Sequence, residues 1–122
     1  VIEGNHLVGR IVEVNYLSSR VLLLSDLNSR IPVIIANTGT QAILSGAGNK
    51  LPSLEYLPEF YQGESGNTIY TSGKDGILSA GIPAGETLII DGELGVKLFS
   101  DPNQLSFVNV VLTNKNSEET DF

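Results

Sequence analysis

His6, Asp26 and Ser72 stand in the chain order of a serine-protease-type triad, which makes them the first residues to test for chemistry. Such a triad is defined by geometry and roles, not by order along the chain. Ser72 follows Thr71 and lacks the Gly-x-Ser-Gly context that shapes an oxyanion hole, and 122 residues are too few for two protease barrels. His6, beside Gly4-Asn5, reads as a turn residue. Carboxylate pairs could do glycosidase work, and Glu55 with Glu59, Asp91 with Glu93, and Glu118 with Glu119 are close in sequence. Each falls at a turn, on an exposed strand face or in the tail, where carboxylates are ordinarily solvated. Glycine turns at Gly46-Ala47-Gly48 and Gly73 could cradle phosphate if a helix followed to aim its amides, and neither is followed by one. One His and no Cys argue against a zinc site. The expectation is no catalytic residue, no cofactor and no metal.

Binding is the better prospect. Tyr56, Leu57, Phe60 and Tyr61 lie within six residues, next to Pro58. They read two ways: as an exposed protein- or sugar-contact patch, or as a small core under a loop. The otherwise polar loop tips the reading towards the patch.

Composition narrows the partners. A net charge of −7 argues against direct binding of nucleic acid or anionic lipid, since both require clusters of Lys and Arg. No apolar run approaches the roughly 18 to 20 residues of a membrane-spanning helix. The chain has no Met and opens on Val1. It therefore reads as a piece or processed form of a longer protein, with any anchor upstream. Without Cys there is no disulfide, and the compartment is left open.

The elements that must position these residues are strands. Leu7 to Val14, Arg20 to Ser25, Arg30 to Asn37, Gln41 to Leu44, Leu54 to Leu57, Thr68 to Thr71, Glu86 to Asp91, Gly95 to Phe99 and Phe107 to Thr113 are apolar or alternating, with turn residues between them. Arg20 to Ser25 is apolar enough to be buried on both faces. Pro32 implies an edge or first-residue position for its strand. Residues 59–67 are polar and predict a mobile loop, and Asn114 to Phe122 a disordered tail. Regular strand spacing with no long helix predicts an all-β fold, a small barrel of short antiparallel strands.

The chain is organised around Thr71 to Gly85. Gly73, Gly76, Gly81, Pro83 and Gly85 exclude a helix here, since each Gly costs roughly 1 kcal/mol and Pro about 3 in a helix interior. They permit tight turns and close backbone approach. The stretch predicts a structured crossover between strands.

A strand ending in Thr71-Ser72-Gly73, a glycine turn and Gly81-Ile82-Pro83-Ala84-Gly85 resembles the end of the β-rich region of the rod shape-determining MreC family. Gly4, Leu7 to Arg10 and Val12, Arg20 to Asp26, Ile31 to Val33, Gly46 to Gly48, Leu54 to Pro58 and Gly66 to Gly73 follow in the expected order. The resemblance covers roughly Val1 to Leu112. Asn67 replaces a usual Asp, Leu78-Ser79 a common Phe-Pro, and Phe60-Tyr61 is an addition. The resemblance implies a non-catalytic scaffold on the periplasmic side of the bacterial inner membrane, anchored by a segment absent from this chain. It implies contact with the elongation-specific penicillin-binding transpeptidase and other membrane elongation proteins, and self-association. A β-barrel adaptor of a secretion or efflux system is the alternative.

On that basis residues 1–6 are expected to be a strand of a first β-subdomain, 7–90 the main barrel, 91–113 strands completing the first subdomain, and 114–122 a tail. Phe107, Val108, Val110 and Leu112 form an apolar strand without a guarding charge or proline. Such an edge invites association with another chain.

Overall fold

The computed structural model describes residues 1–48, 50–59, 61, 63–74, 76, 78–100 and 108–110. They form ten strands and no helix: β1 (Ile2–Glu3), β2 (His6–Leu7), β3 (Gly9–Val14), β4 (Ser19–Leu23), β5 (Arg30–Ile35), β6 (Thr40–Ser45), β7 (Ser53–Glu55), β8 (Thr68–Thr71), β9 (Pro83–Ile90) and β10 (Glu93–Leu98). Six make one antiparallel sheet in the order β10-β9-β8-β5-β6-β7, while β1-β2 and β3-β4 are two-stranded ribbons. The ends of the large sheet approach each other, and the Val96 amide donates to the Pro52 carbonyl at 2.9 Å. The sheet is thereby nearly closed into a barrel.

Alternation along the strands explains what fills it. Ile31, Val33 and Ile35 of β5 point inward with Ala42 and Leu44 of β6, Ile69 of β8, Ala84 of β9 and Val96 of β10, all buried. Leu7 and Leu24 join this core from the flanking ribbons. Full burial of a Leu, Ile or Val contributes roughly 1.5–3 kcal/mol relative to exposure, so this interior supplies most of the drive to fold.

Several expectations are corrected. The strand at Arg20 is not buried on both faces: Arg20 is exposed and Val21 to Leu23 are only half-buried. The reason is that β4 pairs with β3 alone, outside the large sheet. Pro32 lies on neither an edge nor a first position, because β5 is paired on both sides, by β6 and β8. Its ring is tolerated because pairing with β8 ends at Val33–Thr71, and the Pro32 carbonyl there receives the Ser72 amide at 3.0 Å. The missing N–H costs only the reciprocal bond of the Pro32–Ser72 pair, at the very end of the ladder with β8.

The polar loop before β8 is tied to β9. Gly66 N donates to Thr87 O (2.8 Å), Thr87 N to Asn67 O (2.8 Å) and Asn67 N to Thr87 Oγ1 (2.9 Å). Ile89 N adds a bond to Ser65 Oγ at 2.9 Å. The expectation of a mobile loop over 59–67 is corrected at residues 64–67, which are bonded along a strand; residues 60 and 62 lie outside the described residues.

The division drawn after residue 90 falls at the tip of the β9–β10 hairpin, whose register runs from Glu93–Ile90 to Leu98–Gly85. Asp91 and Gly92 both take positive φ there (53° and 80°), the combination that an Asp-Gly hairpin turn provides. At the C-terminal side, Ile2 and Asn109 form an antiparallel bridge, with Ile2 N to Asn109 O at 2.9 Å and Asn109 N to Ile2 O at 2.8 Å. The two apolar end segments thus meet each other at this point. Val108 and Val110 are exposed on either side, while Phe107, Leu112 and the tail from Asn114 lie outside the described residues. Among the described residues no helix is long and apolar enough to cross a membrane.

Candidate functional site

The residues that could do chemistry are each engaged locally. His6 stacks on Phe99 with ring centroids 4.7 Å apart. Asp26 Oδ1 accepts from the Asn28 amide at 2.8 Å and so caps its own turn. Ser72 Oγ accepts from the Lys74 amide at 3.3 Å. None of these hydrogen bonds links one triad candidate to another. Of the carboxylates, Glu55 Oε1 pairs with Arg30 Nε at 3.4 Å across the sheet, Glu59 is exposed, and Asp91 and Glu93 flank the tip of a hairpin. Glu118 and Glu119 lie outside the described residues. Among the described residues no three His, Cys, Asp or Glu side chains come together as a metal site would require.

The crossover after β8 is built by one side chain. Thr71, 1% exposed, donates from Oγ1 to Ser79 O at 2.6 Å and accepts there from Ile82 N at 2.9 Å. Its own amide donates to Ile82 O, and its carbonyl receives Gly81 N. Gly73, Gly76 and Gly81 take positive φ, and at Gly73 a β-carbon would also come within 3.1 Å of Ala80 Cβ. Gly85 has ordinary φ but lies against β10, where a β-carbon would come within 2.5 Å of Lys97 O. Pro83 opens β9 and pairs with Tyr70 across a register shift in the ladder. Positive φ and close packing at these residues set the path of the turn.

The aromatic cluster separates. Leu57 and Tyr61 pack against the core, whereas Tyr56 is 83% exposed; Phe60 lies outside the described residues. The cause is backbone: β7 ends at Glu55, short of the expected Leu57, and Tyr56 takes φ of 63°, turning its ring away from its neighbours. Burial pushes the Tyr61 phenol above its ordinary pKa, offset in part by the side chain of Asn67, and the Glu64 carboxylate adds to the rise. The enclosed Tyr61 hydroxyl has no partner at full bonding distance among the described residues.

Tyr56 joins a different set. With Pro32, Gln41, Ile43, Ser72 and Lys74 it lines a groove on the outer face of β5 and β6. Pro32 and Ile43 are register partners and half-buried, and they form an apolar floor. Lys74 Nζ donates to Gln41 Oε1 at the rim. Sequence reasoning missed this set because Gln41, Tyr56 and Lys74 come from three separate segments. Only the β5–β6–β7 register and the crossover bring them together.

Comparison with known proteins adds an independent line. Residues 1–112 match the family model described as "Rod shape-determining protein MreC, barrel core". The chain is 40% identical over 113 residues to the cell shape-determining protein MreC of Caulobacter vibrioides (strain NA1000 / CB15N), covering 92% of this chain and 33% of that protein. It is 36% identical over 115 residues to the MreC of Cereibacter sphaeroides, covering 93% of this chain and 38% of that protein. The chain thus spans little more than a third of the length of these curated relatives. A solved structure described as the major periplasmic domain from the cell shape-determining filament MreC superposes with a TM-score of 0.68 at 26% identity, over 82% of this chain and 68% of that one.

Proposed function

The chain belongs to the MreC family of rod shape-determining proteins, and from that premise we propose that it is a non-catalytic scaffold of cell elongation. In this reading the barrel stands on the periplasmic side of the inner membrane, carried by an anchoring segment of the longer protein. It organises peptidoglycan synthesis through contacts with the elongation-specific transpeptidase and with further copies of itself. The observation that carries the reading is the family match over residues 1–112. The periplasmic placement and the self-association follow from likeness to the solved relative, which is described as a periplasmic domain of a filament.

Residues 1–6 and the segment around Asn109 are assigned in this proposal to a second, smaller β unit seeded by the Ile2–Asn109 pair. The exposed Val108 and Val110 flanking that pair are its association edge.

Depleting the full-length protein should round the cells and scatter newly inserted wall material, and re-expression should restore rods. Cross-linking in intact cells should recover the transpeptidase. Rod-shaped growth without the protein would overturn the reading, as would turnover of peptide, ester or glycan substrates that Ser72→Ala abolishes.

A further inference from the structure

The outer face of β5 and β6 carries a continuous strip of apolar side chains. Pro32 and Ile34 of β5, Ile43 of β6 and Tyr70 of β8 are all half-buried on that face and adjacent through the ladders Pro32–Ile43 and Ile34–Tyr70. Tyr56 stands over one side of this strip with its ring almost wholly in solvent. It holds that position at φ of 63°, a left-handed conformation that a bulky L-residue rarely adopts. Strain of this kind persists where the surrounding structure over-determines it, and it concentrates at ligand-contact positions. Here the gain to the free protein is small, because the ring buries little.

Charge gives the face a sign. Arg30 and Glu55 neutralise each other on it. Among the described residues lining the groove, Lys74 is then the one ionic group, held at the rim by the neutral Gln41 amide oxygen and next to Ser72. An apolar floor, a projecting aromatic ring and one ammonium are complementary to an extended peptide that offers an apolar side chain and a carboxylate. A Tyr over an apolar floor is where protein contacts concentrate binding energy, and a charge at the rim adds selectivity for the sign of the partner.

We propose that the groove formed by Pro32, Ile43, Gln41, Tyr56, Ser72 and Lys74 takes an extended segment of a partner protein. The segment places an apolar side chain against Pro32 and Ile43, under the Tyr56 ring, and an acidic side chain on Lys74. This deepens the scaffold reading by naming one of its contact surfaces and the chemistry of what binds there.

The test selects short random peptides displayed on phage against the full chain, then follows chosen peptides by amide chemical shifts. The expected consensus is an apolar residue close to Asp or Glu, with shifts at Ile43, Tyr56 and Lys74. Lys74→Glu should weaken such peptides by about tenfold and favour basic ones in reselection. Tyr56→Gly, which keeps the backbone angle at ease, should abolish binding while leaving the remaining shifts in place. Selected peptides without acidic residues, or peptides that bind both variants as well as the parent, would overturn the proposal. It is equally overturned if chitin oligosaccharides, rather than peptides, move the Tyr56 and Lys74 signals, or if those signals move with protein concentration alone. Cell rounding on depletion is scored separately, so a groove that binds no peptide leaves the scaffold reading standing.

Discussion

Thr71 and Ile82 are bonded twice, from Thr71 N to Ile82 O at 3.0 Å and from Ile82 N to Thr71 Oγ1 at 2.9 Å. The same hydroxyl donates to Ser79 O, so one buried threonine closes the crossover that leads from β8 into β9. Thr71→Val keeps the shape and removes the hydroxyl, leaving Ile82 N and Ser79 O without it. Leaving such groups unsatisfied costs about 1–3 kcal/mol, and chemical denaturation should show a loss in that range. Thr71→Ser should retain most of the stability.

Gly85 tests packing rather than hydrogen bonding. A β-carbon there meets Lys97 O at 2.5 Å, Val96 Cγ1 at 2.9 Å and Leu98 Cα at 3.1 Å, and two of these are backbone atoms that a rotamer change cannot move. Gly85→Ala should destabilise by about 1–3 kcal/mol, the range for overpacking a tight core, and should separate β9 from β10. Amide exchange at Val96 and Leu98 is the local readout.

Tyr56→Gly should lie within about 1 kcal/mol of the parent, on the stabilising side. Relief of the left-handed strain, roughly 1–2 kcal/mol, exceeds the entropy cost of introducing glycine, about 0.5–1. Tyr56→Ala keeps a β-carbon at the same φ and should recover none of that strain. A large loss of thermal stability for the glycine variant would mean that the exposed ring supports the fold.

The Tyr61 phenol is raised by burial, so folding favours its neutral form. The contribution is present below the ordinary phenol value of about 10 and is lost as pH rises through the raised value. Absorbance titration should show a phenol that ionises above the ordinary value, and Tyr61→Phe should remove that step. Tyr61→Phe removes an enclosed hydroxyl that lacks a partner at full bonding distance. It should be neutral or stabilising by up to about 1 kcal/mol at neutral pH, with a shallower alkaline loss.

Thr87 holds residues 64–67 against β9 by accepting from Asn67 N and donating to Glu64 O. Thr87→Val should speed amide exchange at Asn67 much more than at Val33 or Ile69 in the barrel interior. Equal acceleration at all three would mean that Thr87 acts on the whole barrel rather than on this connection.

What was legible in the sequence followed from local pattern. Alternation in Ile31-Pro32-Val33-Ile34-Ile35 gives a strand with one buried face, and Asp91-Gly92 gives a hairpin turn. The glycines of Thr71 to Gly85 gave the crossover. Pairing partners were less legible, because they depend on segments far apart. Nothing near Pro32 says that β8 lies beside it and that the ladder between them ends there. Nothing near Arg20 says that its strand has a single neighbour. The Tyr56 groove was illegible for the same reason: its spacing along the chain has no period, and one residue's φ decides where the ring points.

The bridge between Ile2 and Asn109 has a mechanical meaning. It brings two points over a hundred residues apart in the sequence to adjoining positions, so the barrel between them is a loop slung beside the path of the chain. Tension drawn along that path is shared by this short antiparallel pair and the neighbouring bonds from Val8 and Gly9 to the Val1 carbonyl. Pulled from residues 1 and 110, which lie at the same end of the pair, its two hydrogen bonds are peeled in turn rather than sheared together. With only two hydrogen bonds, the pair would act as a fuse that opens before the longer ladders of the six-stranded sheet.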